Sequence, residues 1–180
     1  MNEYIYNAIK TADEERHVVG YAAVFNDPAV LFKDGDGNEY KEVFVPGCFD
    51  EANMNDIVFR YNHHDSFTIL ARTANGSLRT NVDETGLHIE AVIADTTQGN
   101  DVFTLIKRND IAKMSLAFTV KEDRYDVETR TRYITKIDKV FDVSAVDVPA
   151  YPNTSLEPYK TGFTAAEEDI RNTIYILSQT

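Results

Sequence analysis

Tryptophan is absent from the 180 residues, cysteine occurs once, and positive charge is scarce: 18 Lys and Arg stand against 30 Asp and Glu. Each shortage excludes something. A lone Cys48 can form no intrachain disulfide and no cysteine-based zinc site, a pattern that suits a reducing compartment. A formal net charge of −12 repels phosphate backbones, so no nucleic-acid partner is expected. No stretch approaches the roughly 20 apolar residues needed to span a bilayer, so no membrane partner is expected either. The opening MNEYIYNAIK lacks the apolar core of a signal peptide, and the protein is expected to stay where it is made.

What is present is the material of one folded domain. Hydrophobic residues make up 43% of the chain and charged residues 27%, with ten Tyr and ten Phe. That balance can bury a sizeable core. Most of the pattern is β. Residues 17–25 form an apolar, β-rich run stopped by Asn26-Asp27-Pro28. Asp34-Gly35-Asp36-Gly37-Asn38 alternates acids like a calcium loop, but its twelfth position is Val45 rather than Glu, which favours a hairpin tip. A short helix is expected near 48–54, with Cys48 as a small buried residue, followed by a strand at 56–61.

Residues 77–93 read as a hairpin turning at Asp83-Glu84-Thr85-Gly86. Leu87, Ile89, Ala91 and Ile93 share its inner face, and His88 points to the solvent side. Residues 99–108 switch to helical spacing and stop at Asn109-Asp110. Two long strands follow, about 111–123 and 131–148, with DVETR at their hairpin tip. Pro149 to Asn153 ends the sheet. Residues 153–163 read as a linker or surface arm, and Thr164-Ala165-Ala166-Glu167 caps an amphipathic terminal helix.

Three segments hold polar groups suited to chemistry. Tyr61-Asn62-His63-His64-Asp65 follows a strand, and an imidazole exchanges protons near neutral pH; a solvated strand-end His pair reads the same way. In Lys113-Met114-Ser115-Leu116-Ala117-Phe118, period two sends Met114, Leu116 and Phe118 to the core and Ser115 to the opposite face. There it is a fixed nucleophile or an ordinary strand serine. In Val140 to Pro149, Asp142 and Asp147 sit among β-branched residues, where an unpartnered carboxylate is costly. They fall on opposite strand faces, so at most one faces the side of Ser115.

Six blocks in order carry a resemblance to the prohead maturation proteases of tailed phages. They are Gly20-Tyr21-Ala22-Ala23-Val24-Phe25, then Glu42-Val43-Phe44-Val45-Pro46-Gly47-Cys48-Phe49-Asp50, His64-Asp65 with Leu70-Ala71-Arg72, Asp83-Glu84-Thr85-Gly86-Leu87, Met114-Ser115-Leu116-Ala117-Phe118, and Asp142-Val143-Ser144-Ala145-Val146-Asp147-Val148-Pro149-Ala150-Tyr151-Pro152. Together they run from Gly20 to about Thr154. Two departures stand out. Two histidines precede Asp65 where the family has one, and Asp142 stands where Glu is common.

The resemblance implies an α+β, β-rich fold: a single β-barrel-like domain with flanking helices, akin to the herpesvirus assemblin proteases. The protease domain would span 1–152, with 153–180 as C-terminal linker and helix. It implies a serine endopeptidase with Ser115 as nucleophile, His64 as base and Asp142 as orienting acid. Counting back from Leu70-Ala71-Arg72 selects His64; counting forward from Asn62 selects His63. Arg72 is a candidate helper for the oxyanion. Expected partners are the phage major capsid protein and its scaffold or delta-type segments, with self-association open, no cofactor and no metal. Cleavage, including self-cleavage, would occur inside the assembling prohead in the host cytoplasm. The rival readings are a non-catalytic assembly protein on the same fold and a metal hydrolase built on His63, His64 and Asp65.

Overall fold

A computed structural model describes residues 16–65 and 68–159. The strands are β1 (His17–Val24), β2 (Ala29–Lys33), β3 (Glu39–Phe44), β4 (Val58–Tyr61), β5 (Ala71–Arg72), β6 (Leu78–Val82), β7 (Gly86–Val92), β8 (Lys113–Asp126), β9 (Thr131–Val146) and β10 (Glu157–Pro158). Helix α1 covers Thr97–Lys107. The strands form two open sheets rather than a closed barrel, ordered β10-β1-β7-β6 and β2-β3-β9-β4-β5, with β8 also paired to β9. The expected terminal helix and the end of the arm before it lie outside the described residues.

The β6–β7 hairpin follows the alternation read from its residues: Leu87, Ile89, Ala91 and Ile93 are buried. His88 is partly buried and meets the Tyr21 ring edge-on at 5.1 Å. Asp34 uses its carboxylate on its own turn, accepting from the Asp36 and Asn38 amides, so residues 34–38 are a hairpin tip between β2 and β3. Helix α1 opens on Thr96, whose hydroxyl accepts from the Gly99 amide at 2.9 Å. Asn109, with φ 65°, turns the chain out of the helix toward β8.

Residues 48–54 form no helix. Cys48, Asp50 and Ala52 each donate to the residue three positions back, giving a series of tight turns that begins at Gly47 with φ 87°. The reason is non-local. Cys48 O and Asn53 O accept from the Ile137 and Val140 amides, so this backbone is engaged to the side of β9 instead of coiling on itself.

Strand β9 organises the second sheet. Along one edge, residues 131–134 pair in parallel with β3, Lys139 bridges to Asn53, and residues 142–145 pair in parallel with β4. Its other edge is covered from end to end by antiparallel β8. The chain from 41 to 62 therefore travels beside β9 in the same direction and delivers its next residues to the C-terminal end of that strand.

Residues 154–156, after the sheet, are hydrogen-bonded to it. Thr154 Oγ1 brackets Met114, accepting from its amide at 3.1 Å and donating to its carbonyl at 2.8 Å. The Ser155 and Leu156 amides donate to the Tyr21 and Ala112 carbonyls, and Leu156 is buried in the core.

Candidate active site

The register of three strands sets out a row of side chains on one face. Ser115 of β8 stands opposite Ser144 of β9, and Arg60 of β4 flanks Ser144 on the other side. Antiparallel partners lie about 4.5–5.5 Å apart between Cα atoms and share a face. Asp142, two residues before Ser144, is on that face too, while Val143 and Ala145 turn to the core.

Ser115 is on the face opposite Met114 and Leu116, as the alternation requires, but it is not an exposed strand residue: it is only 7% accessible. Among the described residues its hydroxyl has no hydrogen-bond partner. Lys113 shares the face, yet its ammonium is engaged by the Thr154 carbonyl at 2.9 Å.

The imidazole comes from the turn after β4. The Asn62 amide donates to Ala145 O at 2.9 Å, continuing the parallel ladder for one more residue. Asn62 (φ 49°) and His63 (φ 55°) then take left-handed conformations that fold the chain back. Such a pair is uncommon outside glycine, and strained backbone of this kind gathers at functional sites. The His63 amide is held by Ser144 Oγ at 3.1 Å, and His63 Nδ1 lies 2.7 Å from Asp142 Oδ1. The ring is about a third exposed and the carboxylate mostly covered.

The imidazole that meets Asp142 is thus that of His63, where the spacing to Leu70-Ala71-Arg72 led to His64. His64 is exposed, and its carbonyl accepts from Arg60 Nη1 at 3.3 Å. Arg60 also contacts Asp65 Oδ1 at 3.3 Å, so one guanidinium braces both residues that follow His63.

Asp147 lies beyond the end of β9, exposed, with its carboxylate on the Val148 amide at 2.8 Å. Arg72, the candidate helper, has both ends of its guanidinium on Asp56, through Nε at 2.5 Å and Nη2 at 2.7 Å. Its ionic hydrogen bond holds the Asp56 carboxyl below its ordinary value. Cys48 is 1% exposed, and burial pushes its thiol up to about 12, the reverse of a reactive thiolate.

Two features of the site carry no signal in the sequence: Ser144, which lies between Asp142 and Asp147, and Arg60, one residue of a strand. Only the register of β4 and β8 on β9 gives either a neighbour with chemistry.

The arrangement holds a carboxylate on one imidazole nitrogen and, among the described residues, leaves the other nitrogen and the hydroxyl of Ser115, on the adjacent strand, without a partner. A sequence model of the caudovirus prohead serine protease family matches residues 2–169. The chain belongs to that family. Membership indicates a serine peptidase and points to a protease role in phage capsid maturation, where a prohead protease would act on capsid or scaffold proteins. No curated protein and no solved structure matches the chain. Among the described residues, no helix is long and apolar enough to cross a membrane.

Proposed function

We propose that the chain is a serine endopeptidase in which Ser115 is the nucleophile, His63 the general base and Asp142 the orienting acid. The observation that carries the proposal is the His63 Nδ1–Asp142 Oδ1 hydrogen bond of 2.7 Å, one strand from Ser115. With Nδ1 committed to the carboxylate, Nε2 is the nitrogen left to take a proton.

In the proposed reaction Ser115 Oγ attacks the scissile carbonyl carbon as its proton passes to His63 Nε2. Asp142 steadies the resulting imidazolium. The proton is then given to the leaving amine, whose departure breaks the peptide bond and leaves an acyl-enzyme. Water, deprotonated by the same nitrogen, hydrolyses the ester, releases the new carboxylate and returns the proton to Ser115.

The proposed substrates are scaffold segments or the delta-type extension of the major capsid protein, together with the protease's own chain, cut within the assembling prohead in the host cytoplasm. A kinship of the fold with the herpesvirus assemblin proteases is part of the same proposal.

A fluorophosphonate probe followed by peptide mapping tests the reading. Label on Ser115, lost in Ser115→Ala while that variant unfolds at nearly the wild-type temperature, is the expected outcome. Proteolysis that survives Ser115→Ala, or a folded protein that no serine probe modifies, would overturn it, the latter in favour of a non-catalytic assembly protein.

A further inference from the structure

Ser144 is completely buried, and its hydroxyl both donates and accepts. Its Oγ donates to Asp142 Oδ1 at 2.8 Å and accepts from the His63 backbone amide at 3.1 Å. The carboxylate oxygen it reaches is the same one that meets His63 Nδ1. One hydroxyl therefore links the acid to the turn that carries the imidazole.

We propose that Ser144 is a positioning residue, locking the Asp142 carboxylate and the His63 turn into a single unit. The inference rests on the roles assigned above to Ser115, His63 and Asp142. An aspartate side chain rotates about two bonds, and a hydrogen bond from the residue two positions on, on the same strand face, stops that rotation with Oδ1 toward the ring. The His63 backbone is in a sparsely populated conformation, which persists only where its surroundings hold it. The Ser144 oxygen supplies that hold and also satisfies an amide that the turn takes out of the ladder.

The same geometry separates the two serines that face each other. The Ser144 proton is directed to Asp142, whereas the Ser115 hydroxyl is uncommitted among the described residues, so Ser144 supports the reaction and Ser115 performs it.

The test uses the full chain and a fluorophosphonate probe, which reports serine activation without requiring a peptide substrate. Ser144→Ala removes both hydrogen bonds; Ser144→Cys still fills the site, with a somewhat larger atom, but bonds weakly. Far-UV circular dichroism and thermal unfolding confirm the fold of each, and Ser144→Cys carries the test should the alanine variant fail to fold. The expected result is a fall in kinact at Ser115 of ~10–100-fold in both variants, the range for losing or weakening a buried hydrogen bond to a charged group, with KI unchanged. Wild-type kinact in Ser144→Cys, or a loss confined to KI, would mean that Ser144 only fills space, and the inference fails while the triad stands. Label mapped to Ser144 instead of Ser115 would overturn the triad itself.

Discussion

His63 Nδ1 and Asp142 Oδ1 lie 2.7 Å apart although 79 positions separate the two residues in the chain. The contact exists because β4 runs parallel to the end of β9 and then folds back over it through two left-handed residues. His64, one residue further, has already left the strand and faces solvent, and no described carboxylate meets its ring.

The two imidazoles are therefore expected to differ sharply. His63→Ala should lower turnover by roughly 10²–10⁴-fold, the range for loss of a general base, and His64→Ala should change it little. Cleavage rates of the two single variants on one capsid-derived peptide decide the matter. The reverse order would return the base to His64.

Asp142→Asn should reduce kcat by ~10²–10⁴-fold with little change in KM, because the amide no longer favours the imidazolium or the productive tautomer. Asp147→Asn should be mild, since that carboxylate only caps the Val148 amide. Steady-state kinetics of both variants check this, and a large kcat loss in Asp147→Asn would refute the assignment.

Tyr151 and Glu42 form a buried pair. The phenol donates to Glu42 Oε1, and Arg132 Nη1 meets the other carboxylate oxygen at 3.1 Å. Burial first, and the Glu42 carboxylate second, push the Tyr151 phenol well above its ordinary value. A raised folded value favours the protonated form, so its stabilisation is full below the unfolded value of about 10 and is lost as pH rises beyond it. Tyr151→Phe should cost about 1.5–3 kcal/mol at neutral pH, as for a hydrogen bond to a charged group. Denaturant melts should show the gap between wild type and variant narrowing above about pH 10. A gap that stays constant with pH would detach this pair from the alkaline response.

Cys48 should be silent toward a disulfide reagent such as dithionitrobenzoate in the native state at about pH 8, because a buried thiol raised this far holds almost no thiolate. Full reaction should appear once denaturant exposes it. Rapid native-state modification would show that the turns at 46–51 open readily.

How much of this was legible in the residue order depends on how local each feature is. Period-two alternation places Ser115 opposite Met114 and Leu116, and places Leu87, Ile89, Ala91 and Ile93 inside, because side chains on a strand alternate whatever the strand pairs with. The break of the helix at Asn109 is likewise local, set by backbone groups within a few residues. The choice between His63 and His64 is not local. It turns on the Ser144 hydroxyl holding one amide and on where β4 stops against β9, both set by strand register. The same holds for Ser144, an ordinary serine until Asp142, His63 and Ser115 surround it, and for residues 48–54, whose turns are dictated by β9. The open sheets in place of a barrel also depend on which edges pair. Sequence specified the longer strands and which of their side chains share a face, since alternation follows from each residue's own geometry; the tertiary structure chose the partners, because hydrogen bonds between distant segments depend on register.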